Sequence, residues 1–228
     1  PREIVERAIA RYGQGAVSLA SVEGFVRQVL GWRAYANGIY WLTMPGYRAH
    51  NYFGFTRPLP QLFWESERTD LACVRDSVQM VRDTAYAHHI HRLMVLSNFA
   101  TLAGVHPLRL SEWFWAGFAD AMEWVELPNV VGMATFGDGG LLASKPYVSG
   151  AAYLAKMSDY CQSCAFDPKT TCPVTRLYWA FLARHARGCA SDTRAFLLFL
   201  VDGRKLGPAG LKMPVAALKF FFRFVRRQ

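Results

Sequence analysis

Apolar side chains recur along this chain at intervals of three and four residues, and no strand-like alternation persists. Residues 3–12 (EIVERAIARY) set apolar groups at helical spacing among alternating charges, which predicts a short amphipathic helix ended by Gly13 and Gly15. Ser21 is the expected cap of a second helix that carries Val22, Phe25, Val26, Val29 and Leu30, runs through Trp32-Arg33 and fades before Trp41. Residues 43–60 (TMPGYRAHNYFGFTRPLP) are rich in turn formers. Thr69-Asp70 opens a longer helix through Cys73, Val74, Val78, Val81 and Tyr86. Residues 88–102 continue helical to a stop at Gly104, with His89, Arg92 and Leu93 close together on successive turns. Pro107 occupies a helix-start position ahead of Leu110, Trp113, Phe114, Gly117 and Ala121. Residues 151–160 and 174–185 read as further helices, and no internal repeat is present. The expected class is all-α.

One stretch departs from this pattern. Residues 120–147 (DAMEWVELPNVVGMATFGDGGLLASKPY) open as a helical face, break at Pro128, and pass through Gly132, Gly137, Gly139 and Gly140. Two carboxylates, Asp120 and Glu126, flank Trp124 before the break. A long, non-repetitive, glycine-bearing loop in a helical sequence is uncommon unless it binds something, although a surface connection has the same composition.

A length of 228 residues allows one large domain or two small ones, with roughly 70% of the unfolded chain's surface buried. The 52% apolar and 14% aromatic content favours a packed interior over disorder. The longest apolar runs are too short to span a bilayer, so no transmembrane segment is expected. The first residues carry no charged–apolar–small signal pattern, and a cytoplasmic location is expected. The chain begins at Pro1 inside what reads as a helix, so its start is expected to be a cut. The net charge of +9 suits a polyanionic partner, but residues 190–228 hold eight Lys/Arg against two Asp, a net +6, which leaves only +3 elsewhere. In that tail Lys219, Arg223 and Arg227 fall on one helix face with Phe on the others, as in a surface-binding helix; a divergent end has the same look.

Three groups of residues carry chemistry. Cys161, Cys164 and Cys172 form C-x2-C-x7-C, with Pro173 after the third. Thiols this close, without a secretory signal, favour a metal over a disulfide. The Cys-Pro pair fits iron–sulfur ligation and the spacing fits a structural zinc site about equally; Cys73 and Cys189 are the candidate fourth ligands. The second group is residues 86–92 (YAHHIHR), whose histidines hold or release protons near neutral pH. Adjacent histidines point to different helix faces, so one or two at most line any one site. The third is the supply of tryptophan, Trp41, Trp64, Trp113, Trp115, Trp124 and Trp179, which is most often packing. No G-x-G-x-x-G after a strand and no Walker A loop is present, which argues against Rossmann and P-loop nucleotide sites.

Taken in order, VEGFVRQVLGWRAYANGIYW, MPGYRAHN, TRPLPQLFW, YAHHIHRLMVLSNFATLAG, EWVELPNVVGM, FGDGGLLASKPYVSG and MSDYCQSC resemble the C-terminal, flavin-binding half of the iron–sulfur bacterial cryptochromes and photolyases. The resemblance covers roughly residues 1–185 and leaves 186–228 as a divergent basic tail. It implies an all-α domain that holds FAD beside a 4Fe–4S cluster ligated by Cys73, Cys161, Cys164 and Cys172, with Cys189 free. It places Asp120, Glu126 and Asn129 at the flavin, Glu126 facing the reactive ring nitrogen, and Met133 and Tyr147 around a DNA lesion. His88 and His89 resemble the family's histidine pair, the second being the proton donor in (6-4) photoproduct repair. Trp113 and Trp64 resemble the aromatic relay that photoreduces the flavin; the family usually has Tyr where this chain has Phe114. The implied activity is light-driven repair of UV-damaged DNA, in which reduced FAD passes an electron to a flipped-out pyrimidine dimer. The family's N-terminal antenna domain, and a Ser/Thr-rich stretch that contacts the FAD phosphates, lie outside this chain. Two alternatives share these features: a blue-light photosensory cryptochrome on the same scaffold, and a non-enzymatic helical DNA-binding module with a structural metal.

Overall fold

The stripe Ala72, Cys73, Val74, Ser77, Val78 and Val81 recurs every three to four residues along a single helix and is wholly buried. Around it the core assembles. The computed structural model describes residues 1–185; the tail helix face of Lys219, Arg223 and Arg227, and Cys189, lie outside them. In chain order the helices are α1 (Arg2–Gly13), α2 (Leu19–Leu30), π1 (Gly31–Ala36), α3 (Asn37–Thr43), α4 (Ala72–Thr84), π2 (His91–Ser97), α5 (Asn98–Ala103), α6 (Pro107–Gly117), α7 (Glu123–Leu127), π3 (Pro128–Ala134), α8 (Ala151–Met157), α9 (Tyr160–Ser163) and α10 (Pro173–His185). No strand forms among the described residues, only a bridge between Arg57 and Val105. The expected all-α class holds.

Several boundaries differ from the expectation, each for a local reason. The cap of α2 is Ser18, not Ser21: the Ser18 hydroxyl accepts the Ser21 amide at 3.2 Å. That helix does not fade before Trp41 but continues through π1 and α3 to Thr43. α4 stops at Thr84, short of Tyr86, because Ala85 takes the left-handed conformation at φ 52°. Pro128 does not break the chain. It starts π3, whose wider turn has more room for its ring, so residues 123–134 run on as one helical stretch. The stretch expected near residues 151–160 splits into α8 and α9. Gly104, left-handed at φ 75°, and Pro107 act as expected, ending α5 and opening α6.

The main core draws on α4, π2, α5, α6, α8 and α10, with Leu96, Ala100, Leu110 and Ala151 fully buried. A second cluster, Tyr40, Tyr47, Leu127 and Val131, joins α3 to π3. The glycine-bearing stretch proper, residues 135–150, lies over this seam, held by one carboxylate. Asp138 accepts the amides of Gly140, Leu141 and Leu142 and, at 2.6 Å, the hydroxyl of fully buried Tyr47. Its far end is tied by Asn98, whose amide oxygen and nitrogen pair with the backbone of Ser149.

Gly132 lies where π3 meets this loop. A Cβ there would overlap the Tyr47 hydroxyl and stand 2.6 Å from the Asp138 carboxylate and 2.8 Å from the Leu142 Cβ. Gly132→Ala is therefore expected to destabilise the protein by about 1–3 kcal/mol through overpacking, read from chemical denaturation. A change below a few tenths of a kcal/mol would show that the Tyr47–Asp138 seam gives way freely.

Candidate functional site

The C-terminus of α4 turns at Ala85 and delivers Tyr86 and Ala87 to the edge of a cavity of about 380 Å³, within the size range of small-molecule sites. The three π-segments supply half of its lining: Trp32 from π1, Arg92, Leu93 and Ser97 from π2, and Asn129, Val130, Met133 and Ala134 from π3. Phe114 of α6 and Val125 and Glu126 of α7 close the opposite side, with Asp120 in the link between those helices. π-turns are rare and occur often at functional sites; here they converge on one place.

Two carboxylates of this wall are set in opposite ways. Glu126 is buried, and among the described residues its hydrogen-bond partner is the Ser111 hydroxyl, at 2.8 Å to Oε1 and 3.1 Å to Oε2. Burial pushes its pKa up to about 8, Ser111 opposing and the charge of Glu123 adding, so at neutral pH it is a neutral acid that can donate a hydrogen bond. Asp120 is half-exposed and is gripped by both terminal nitrogens of Arg92 at 2.9 Å. The Arg92 Nε also donates to the Ala87 carbonyl at 2.7 Å, and its guanidinium lies 4.3 Å from the Phe118 ring centroid. One arginine thereby fastens both links that border the cavity.

The three histidines part company. His89 stands at the cavity mouth, edge-on to Trp32 with ring centroids 5.9 Å apart. Partial desolvation lowers its pKa below the usual 6.5, and the neighbouring His88 and Arg92 push the same way. His88 is exposed and outside the cavity, its Nδ1 accepting the Ile90 amide at 3.4 Å. His91 turns to the other side and meets the Tyr160 hydroxyl at 3.4 Å.

Trp113 is buried one ring behind the cavity wall, perpendicular to Phe114 with centroids 5.2 Å apart. Its indole N–H donates to the Phe63 carbonyl at 2.9 Å, and Trp64, the next residue, is 54% exposed. Tyr147 packs against the main core and does not line the cavity.

The four cysteines come from separate elements: Cys73 in the first turn of α4, Cys161 in α9, Cys164 just after it, and Cys172 before α10. All four are free thiols. Burial pushes the Cys73 thiol up to about 12, with Cys172, Cys164 and Cys161 each adding, so the four are electrostatic neighbours. No three His, Cys, Asp or Glu side chains among the described residues converge as ligands of a single metal ion.

The cavity thus joins His89, Asp120, Glu126, Asn129 and Met133 of the expected residues, and leaves His88, Trp64, Trp113 and Tyr147 outside it. Sequence reasoning missed Arg92 as the clamp, Ser111 as the partner of Glu126, and Trp32 and Ser97 in the wall. Arg92 and Asp120 lie 28 residues apart, and no spacing rule pairs them.

No protein-family model matches the chain. The chain is 45% identical to a (6-4) photolyase of Agrobacterium fabrum over 197 residues, which is 84% of this chain and 39% of that protein's length. It is also 36% identical over 66 residues to an uncharacterised protein of Acanthamoeba polyphaga mimivirus, covering 29% of this chain and 54% of that protein. Among the described residues no helix is long and apolar enough to cross a membrane.

Glu126 makes stability depend on pH. Its folded pKa, about 8, lies above the ordinary 4.5, so the stabilisation is full below 4.5 and is lost as the pH rises through about 8. Glu126→Gln keeps an acceptor for Ser111 without the charge. It is expected to match the wild type near pH 5 and to be more stable by about 1–3 kcal/mol at pH 9, by urea denaturation. Parallel pH profiles for the two proteins would show that the carboxyl ionises freely in the fold.

Proposed function

The chain belongs to the photolyase/cryptochrome family, and on that premise we propose that residues 1–185 are the C-terminal part of the helical, FAD-binding domain of a DNA photolyase, followed by a basic tail at residues 186–228. The substrate class is UV-damaged DNA carrying pyrimidine dimers of the (6-4) type. One observation carries the reading: a neutral buried carboxyl, an arginine-clamped carboxylate and a mouth histidine share one largely apolar cavity.

These residues suit a flavin. When bound, FAD would supply the light-driven electron chemistry that splits the dimer. Neutral Glu126 would offer the flavin a hydrogen bond without adding charge, and Asp120, paired with Arg92, would offer acceptors. Asn129 completes the polar set, and Met133 gives the lesion side an apolar wall. His89 holds the proton for the lesion at the mouth. We keep His88 and Tyr147 as lesion-side residues outside the cavity wall. Trp113 and Trp64 bracket the Phe63 backbone between the cavity wall and the surface, which suits delivery of electrons inward. Phe114 has no phenolic proton to lose, so that route runs without a tyrosyl step.

Cys73, Cys161, Cys164 and Cys172 suit a 4Fe–4S cluster better than a single zinc ion. In such a cluster each thiolate binds its own iron, and the four sulfurs need not meet around one ion. With four protein ligands no position stays open for substrate, so the cluster is structural or electron-storing.

Protein purified without oxygen is expected to show flavin bands over a broad iron–sulfur shoulder, with about four irons per chain. Zinc, or no metal, together with no flavin would overturn the assignment. In the flavin-loaded protein, His89→Ala is expected to cut repair of a synthetic (6-4) lesion by about 10²–10⁴-fold while photoreduction persists. Wild-type repair is expected to fall as the pH rises through a value below 6.5, because the lowered pKa releases the His89 proton early. Photoreduction with no repair in the wild type would instead favour the photosensory alternative.

A further inference from the structure

Consecutive side chains of π1 take different directions. Trp32 lines the cavity, whereas Arg33 is exposed. The Arg33 guanidinium lies over the Trp124 ring, 5.1 Å from its centroid. Trp124 packs in turn against the second core cluster, so the ring is anchored. Val125, the next residue, lines the cavity. Each partner of the pair is therefore the chain neighbour of a residue in the cavity wall. The other arginines at this end are committed. Arg92 is held by Asp120 and the Ala87 carbonyl, and Arg48 by Glu123, the residue before Trp124. Arg33 makes neither an ion pair nor a hydrogen bond among the described residues. A cation–π contact fixes a guanidinium without using any of its N–H donors, so this one is held in place with its donors unspent.

We propose that Arg33 binds a phosphodiester of DNA beside a nucleotide seated at the cavity mouth. The inference rests on the DNA reading and adds a binding residue to it. A nucleotide turned out of the duplex stays joined to its strand by a phosphate on each side, and those phosphates remain at the rim of the pocket that takes the base. A guanidinium meets two phosphate oxygens with two parallel N–H donors, and one already held on a ring loses little freedom in doing so. Outside residues 190–228 the chain carries a net charge of only +3, so its hold on DNA there depends on placed cations more than on bulk charge.

The test measures binding of the whole 228-residue chain to a duplex carrying a synthetic (6-4) lesion, by fluorescence anisotropy over a series of salt concentrations. Wild type, Arg33→Ala and Arg33→Lys are compared. Loss of one neutralised phosphate lowers the slope of log affinity against log salt by about 0.9, and weakens binding about eightfold near 0.1 M salt. Arg33→Ala is expected to show both changes, and Arg33→Lys, which keeps the charge, to hold the wild-type slope. Replacing the phosphates beside the lesion one at a time by neutral methylphosphonates is expected to weaken the wild type at one position and to leave Arg33→Ala unaffected there. Melting temperatures are expected to match, because Arg33 is exposed; where the alanine variant melts lower, the methylphosphonate scan on folded protein decides. An unchanged slope in Arg33→Ala, or a scan that both proteins feel alike, would overturn the contact and leave the photolyase reading standing. A lysine variant with the alanine variant's slope would overturn it too. A wild-type chain that does not bind the duplex would sink the DNA reading and this inference with it.

Discussion

The architecture around the cavity depends on a constraint of helix geometry. An α-helix presents each side chain about 100° from the last and packs against its neighbours with little space left over. To open a cavity of about 380 Å³ inside a helical assembly, the helices must turn side chains away from the phase that would fill it. Here three of them widen into π-turns at the same place, residues 31–36, 91–97 and 128–134. Each wide turn shifts the register of the residues beyond it. π3 pairs this with Pro128, which has no N–H to give to a tighter turn. The cavity is thus written into the backbone, and the side chains that line it inherit their directions from it.

Electrostatics then assigns the wall its roles. Two carboxylates six residues apart, Asp120 and Glu126, are placed in contrasting environments of the same wall. Arg92 grips the first at the solvent side, while burial keeps the second neutral. The charged pair is partly exposed, so its worth lies less in stability than in holding the links at Ala87 and Asp120 in a fixed relation. The neutral acid adds an uncharged donor to a wall whose arginine is committed to Ala87 and Asp120.

Much of this was legible in the sequence because it depends on local pattern. The buried stripe of α4, the Pro107 start and the Gly104 stop follow from periodicity and from residues with restricted or unusual backbone freedom. Local pattern also misled. Ser18 and Ser21 are both plausible caps, and only the amide that one of them accepts decides between them. Pro128 read as a break because proline is hostile to an α-turn; a π-turn tolerates it, and apolar spacing does not announce a π-turn. Asp120, Glu126 and His89 were legible as candidate site residues through family resemblance, whereas their partners were not. Arg92 meets Asp120, and Ser111 meets Glu126, only after α6 and α7 have packed, and a serine four places beyond Pro107 carries no sign of that role.

The fate of the histidines shows how one helix serves two poles of the molecule. His88 precedes the helical turn and stays in water. His89 and His91 stand two positions apart on the helix and so project to nearly opposite sides. One meets Trp32 at the cavity mouth; the other meets Tyr160, the residue before Cys161. The chain from His89 to Ala103 is continuous and its middle is wholly buried, from Leu93 to Ala103, so it is a rigid strut with little freedom to shift at one end alone. The cysteine pole and the cavity are therefore joined by a packed helix as well as by shared core. Disorder introduced among α4, α9 and the start of α10 would reach His89 and Arg92 through that strut, and with them the link that carries Asp120.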